Sequence, residues 1–126
     1  MKKLVQLIAA VSFSCHLWAQ NTVPTDSLAY YEGQLIRVCD SVTGVHVSTG
    51  KSETTFINFG EPFPRNSFSV VIFQKDAESF SYKPAEFLDG KNICITGKVK
   101  LYKGKPEIIV YNEKQIRVEE YRKHPV

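Results

Sequence analysis

Four lysines, Lys98, Lys100, Lys103 and Lys105, fall within eight residues, with Tyr102 among them. Ammonium groups at this density can follow a phosphate backbone, and a ring between them can stack on a base. The row also has a plainer reading, because lysines on an exposed hairpin keep a sheet edge soluble and discourage strand-to-strand aggregation. Cys39 and Cys94 are the second pair with chemistry to offer. In an oxidising compartment an even pair is first a disulfide candidate. A metal site with His46 would hold two thiolates and one imidazole, one ligand short of a closed zinc site. Catalysis has little to draw on. Beyond residue 20 the histidines are His46 and His124, no glycine-rich phosphate loop occurs, and no nucleophile lies in a recognisable setting. Glu119-Glu120 reads as a solvated end rather than an acid/base pair. The expectation is a non-enzyme with no metal and no cofactor.

The ends of the chain bear on where it works. Met1-Lys2-Lys3 is a short basic stretch, residues 4–13 are apolar, and Leu17-Trp18-Ala19 is an acceptable cleavage context. This is the pattern of a secretory signal peptide over residues 1–19, cut before Gln20. The apolar run is short for a membrane span, and Ser12-Phe13-Ser14 before Cys15 makes a poor lipidation site. Removing Lys2 and Lys3 leaves 14 basic against 13 acidic residues, a balance of +1. A nucleic-acid ligand would therefore depend on a local basic patch rather than on the field of the whole molecule. Export is expected, to the periplasm or beyond, with no stable membrane insertion once the signal is gone.

The chemistry-bearing residues need elements to position them. Residues 20–33 read as an N-terminal segment with a short helix, capped around Thr25-Asp26-Ser27 and stopped at Gly33. Residues 34–119 read as one β-domain, and 120–126 as a loose charged tail. A first strand covers 34–47, with Ile36 and Val38 on one face, Leu35, Arg37 and Cys39 on the other, and a bend or bulge at Gly44. A polar turn containing Lys51 leads to a second strand at 54–59. The Pro/Gly segment 60–66 must be a loop. A nearly all-apolar third strand at 68–74 is expected to be covered on both sides or to close a barrel. A short helix at 84–88 follows, with Pro84 in its first turn. Residues 93–101 alternate with period two, Ile93, Ile95, Val99 and Leu101 inward and Cys94, Thr96, Lys98 and Lys100 outward. Gly104 supplies a turn, Ile108 and Val110 resume the inward face, and a short closing stretch ends near Glu119. Three strands, a short helix and a two-stranded hairpin make an all-β chain with the topology of the five-stranded Greek-key barrel called the OB-fold.

Particular stretches carry a resemblance. Gly33-x5-Cys39, Thr55-Phe56-Ile57-Asn58-Phe59-Gly60, Phe68-x-Val70-Val71-Ile72-Phe73, Gly90-Lys91-x-Ile93-Cys94-Ile95-Thr96-Gly97-Lys98 and Tyr102-x-Gly104-Lys105-Pro106-Glu107-Ile108 resemble small bacterial OB-fold domains of the tRNA-anticodon-binding-like type. Such domains occur alone in exported proteins and beside secreted nucleases. The resemblance implies nucleic-acid binding by analogy of fold, with a nuclease or an envelope protein as a conceivable partner, and it carries over nothing catalytic. It also implies that the first and fourth strands are antiparallel neighbours, so that Cys39 and Cys94 can form a cross-strand bridge.

OB-folds bind along strands two and three, between the loop joining strands one and two and the loop joining four and five. That rule selects Lys51, Phe56, Asn58, Lys98, Lys100, Tyr102, Lys103 and Lys105 as the site for single-stranded nucleic acid or nucleotides. Phe68, Phe73, Phe80 and Phe87 are assigned to the core. The alternative is a module of the cell envelope that uses the same groove for a protein, peptide or glycan. Near-neutral charge and a compartment poor in nucleic acid favour that second reading.

Overall fold

The computed structural model describes residues 22–119; the expected signal segment at 1–19 and the tail at 120–126 lie outside the described residues. Six strands form, β1 (Leu35–Ser48), β2 (Thr54–Gly60), β3 (Asn66–Phe73), β4 (Asn92–Tyr102), β5 (Lys105–Ile109) and β6 (Ile116–Val118). Two short α-helices, α1 (Gln74–Ala77) and α2 (Pro84–Phe87), lie between β3 and β4. The sheet order is β1-β2-β3-β5-β4-β6, and β1 also pairs with β4. That extra pairing closes five strands into a ring in the 1-2-3-5-4-1 order of the OB-fold. Only the β3–β5 pairing is parallel among the named strands; the others are antiparallel.

Closure depends on β1 serving two partners. Leu35 to Ser41 pair with Lys98 to Asn92 of β4, and Val42 to Ser48 pair with Phe59 to Thr54 of β2. The register shifts between Val42 and Gly44. This bulge bends the strand around the corner of the ring, as the glycine suggested. The β4–β5 turn is just as local in origin. Lys103 at φ 50° and Gly104 at φ 79° join Tyr102 to its partner Lys105. Two successive left-handed residues make the two-residue hairpin turn whose twist matches the flanking strands.

The core faces follow the alternation. Ile36, Val38, Ile57, Phe59, Phe68, Val70, Ile72, Ile93, Ile95, Val99, Ile108 and Val110 are buried in one cluster. Phe59 and Phe68 stack at its centre, with ring centroids 4.2 Å apart. Leu88, just after α2, and Val23 and Leu28 from the N-terminal segment join the same cluster. That segment is a 3₁₀ helix, Thr25–Tyr31, entered through Pro24 with no side-chain cap. The expected cap fails because the Thr25 hydroxyl instead donates to Asp40 Oδ2 at 2.9 Å.

The core assignment needs correction at two of the four aromatics. Phe68 is buried, but Phe73 and Phe87 are each 41% exposed. Phe73 ends β3 on the outer face, opposite Thr54, and Phe87 packs at a tilt against the half-buried Tyr82. The outer face of β3 is nonetheless covered in its middle, where Val71 is 4% exposed between its register neighbours Phe56 and Ile109.

Cys39 and Cys94 are direct cross-strand partners and are joined by a disulfide, with Cα atoms 4.0 Å apart. Both sulfurs are used, so the metal reading with His46 is set aside. His46 lies on the other half of β1, beside Phe56.

Candidate nucleic-acid interface

The outer face is built from register. Gly44, Asn58, Ser69, Glu107 and Lys100 fall in one row across β1, β2, β3, β5 and β4. His46, Phe56, Val71 and Ile109 form the next row. A groove of about 790 Å³ opens over Gly44, Asn58, Ser69 and Glu107 of the first row and His46 and Phe56 of the second, within the size range of ligand sites. Its walls are the β1 bulge (Thr43 to His46), the β2–β3 loop (Phe63, Pro64) and the β4–β5 tip (Tyr102, Lys103, Lys105). Phe63 and Tyr102 are 76% and 53% exposed, and Phe56 is half-buried. Three rings thus border one space, two of them held open to water.

A polar network makes the floor rigid. Ser69 Oγ donates to Asn58 Oδ1 at 2.7 Å, and Asn66 Nδ2 donates to Ser69 Oγ at 2.8 Å and to Phe68 O at 3.2 Å. Lys105 Nζ in turn donates to Asn66 Oδ1 at 3.1 Å and to the carbonyl of Pro64, and lies 6.0 Å from the Phe63 ring centroid. Lys105 is therefore a strut between hairpin and loop, with most of its donors engaged. Lys103 Nζ lies 5.5 Å from the Tyr102 ring centroid, at the exposed tip. Asn58 and Asn66 are 7% and 4% exposed, so their amides are oriented by these partners rather than by solvent.

Glu107 is the acidic member of the lining. Burial raises its carboxyl above the ordinary glutamate value, and the cation of Lys100 opposite it works against that rise. Among the described residues no hydrogen bond or ion pair to its carboxylate is seen within bonding distance.

The site residues expected from the sequence divide. Phe56, Asn58, Tyr102, Lys103 and Lys105 line the groove together. Asn58 faces it as expected but is fixed in the floor network rather than free. Lys100 flanks the groove next to Glu107, whereas Lys98 lies opposite Leu35 on the β1–β4 seam. Lys51 sits in the turn before β2, and the groove lining on that strand begins only at Phe56, so Lys51 is not part of it. The reason is topological: β5 runs parallel to β3, so its first residue lies beside the β2–β3 loop and not the β1–β2 turn. His46, Phe63, Asn66, Ser69 and Glu107 were not singled out for this groove. Only Phe63 left a local signal, an aromatic set between two prolines that hold the loop away from the sheet.

Comparison with known proteins supports the fold. No family model and no curated protein sequence matches the chain. Among solved structures, it is similar to a chain described as an aspartyl-tRNA synthetase from Leishmania major Friedlin, at TM-score 0.50 and 12% identity over 90% of this chain. It is likewise similar to the aspartyl-tRNA synthetase of Entamoeba histolytica, at TM-score 0.52 and 17% identity over 91% of this chain. The matched region is 24% of each of those chains, so this chain spans about a quarter of their length. At such identities the likeness establishes an all-β OB-fold architecture.

Proposed function

We propose that this protein is an exported, non-catalytic OB-fold module that holds single-stranded nucleic acid or nucleotides in the groove between the β2–β3 loop and the β4–β5 tip. The observation that carries this reading is the set of three rings, Phe56, Phe63 and Tyr102, around one open groove with Lys103 at its mouth. Bases stack on such rings with little regard to sequence, and ammonium groups outside them meet the phosphates. The solved structures it resembles are named for enzymes that act on tRNA, which agrees with this ligand class. The basic and apolar order of residues 1–19 and the Cys39–Cys94 bridge support export.

The test is a fluorescence-anisotropy titration with a labelled single-stranded thymidine nonamer at about 50 and 150 mM salt, concentrations over which phosphate contacts lose affinity. Two lysines, Lys100 and Lys103, give a slope of about −1.4 in log K against log salt for a single strand. Phe56→Ala combined with Tyr102→Ala should weaken binding at least tenfold, at about 1–3 kcal/mol per stacked base. No binding at either salt, or equal binding by the double variant, refutes the assignment. The near balance of charge favours a second reading, a groove for a peptide, glycan or envelope protein. Nuclease-insensitive capture of one such ligand, lost in the same double variant, would establish it instead.

A further inference from the structure

We infer that the groove selects guanine, reading its Watson–Crick edge with the carboxylate of Glu107 and the amide of Asn58; this rests on the nucleic-acid reading above. A carboxylate lying in the path of a polyanion repels phosphate, so its place must be opposite a base and not a backbone. Glu107 has both oxygens free of hydrogen-bonded partners among the described residues, and it is partly withdrawn from water. A base that covers this carboxylate strips its remaining water, so a ligand that donates to both oxygens is favoured over one that leaves an acceptor unpaired. Of the four bases, guanine alone presents two adjacent donors, N1–H and N2–H₂, on one edge. Cytosine and adenine offer one amino group there, and thymine a single imide N–H.

The neighbouring acceptor of guanine, O6, requires a donor in the next position. Asn58 occupies the same outer-face row as Glu107, with Ser69 between them. Its Oδ1 already accepts from Ser69 Oγ at 2.7 Å, and Asn66 Nδ2 approaches the same oxygen at 3.4 Å. The amide orientation is thereby set, leaving Nδ2 as the donor available to a ligand. The row also ends at Gly44, where a Cβ would meet nothing within 4 Å, so the floor is open on that side. The rings of Phe56, Phe63 and Tyr102 supply stacking that is indifferent to base, while Asn58 and Glu107 supply the discrimination.

The experiment compares thymidine nonamers carrying one central guanine, hypoxanthine, adenine, cytosine or thymine, titrated against the full chain and against Glu107→Gln. A bidentate base contact discriminates by roughly 1–3 kcal/mol, so the guanine nonamer should bind about 5- to 150-fold tighter than the thymine one. Hypoxanthine lacks the N2 amine and should lose most of that preference. In Glu107→Gln the guanine-to-thymine ratio should fall to near one. Equal affinities across the panel overturn the inference and leave the nucleic-acid reading intact. Retention of guanine preference in Glu107→Gln overturns the assignment to that residue. Absence of binding to every nonamer overturns both.

Discussion

The Cys39–Cys94 bridge sits on the seam where β1 and β4 close the ring, and removing it should cost more than any other single link. The two residues are 55 apart in sequence. In the chain-entropy model, opening a loop of that length frees about 4 kcal/mol of denatured-state entropy. Domains of this size hold only about 5–15 kcal/mol in total. At about 4–8 °C per kcal/mol the midpoint should fall by roughly 20 °C. The perturbation is Cys39→Ser with Cys94→Ala, compared with wild type in oxidising buffer and in reductant. Thermal unfolding followed by far-UV circular dichroism reads the midpoint, and urea unfolding the slope. The slope should rise slightly in the uncrosslinked forms, because the unfolded chain exposes more surface. Wild type in reductant should match the double variant. The seam also fixes the β1 bulge relative to the β4–β5 tip, so the reduced protein should hold groove ligands less tightly. Two free thiols in the oxidised protein, or a stability change under about 1 kcal/mol, would falsify the account, the latter because loop closure of this length predicts several times more.

Three further outcomes follow from the groove. Gly44→Leu places a side chain where nothing lies within 4 Å of the new Cβ, so unfolding should change by less than about 0.5 kcal/mol, while groove binding drops roughly tenfold or more; intact affinity would show that the ligand lies elsewhere. Lys105→Met removes the donor to the buried Asn66 Oδ1 and to Pro64 O, and should cost about 1–3 kcal/mol in urea unfolding and speed hydrogen exchange in the loop at 61–65; exchange equal to wild type would refute the strut. The third outcome concerns pH. Burial raises the Glu107 carboxyl in the folded state, so the folded protein binds its proton more readily than the unfolded chain, and stability from this group falls as pH rises from the ordinary glutamate value through the raised one. Glu107→Gln should therefore be stabilised relative to wild type at neutral pH, with the gain fading as pH drops toward the ordinary carboxylate range. A gain that persists unchanged at acid pH would assign it to something other than ionisation.

What was legible in the amino-acid sequence was local. Period-two alternation named the inward residues of β1 and β5, and Ile93, Ile95 and Val99 of β4, while Leu101, expected inward, is only half-buried; each strand has one core face and side chains alternate across the pleat. Gly44 marked the bulge, Gly104 the hairpin turn and Pro84 the start of α2, because each acts through its own backbone. Those same features, in order, pointed to the OB-fold topology, whereas the cross-strand pairing of Cys39 with Cys94 rested on the resemblance to known OB-fold domains. The helix cap was lost where a long-range partner, Asp40, drew away the Thr25 hydroxyl. Phe73 was misassigned to the core because an apolar strand end carries no sign of which neighbours will cover it. Which residues complete the groove was decided by tertiary structure. It depends on the parallel pairing of β5 with β3, which brings Lys105 to Asn66 across 39 residues, while Lys51 stays outside the lining. Lysine chemistry is the same in either place. Only the closed ring determines that Lys105 braces a loop, that Lys103 stays at the exposed tip over Tyr102, and that Glu107 and Asn58 share a row beneath three aromatic rings.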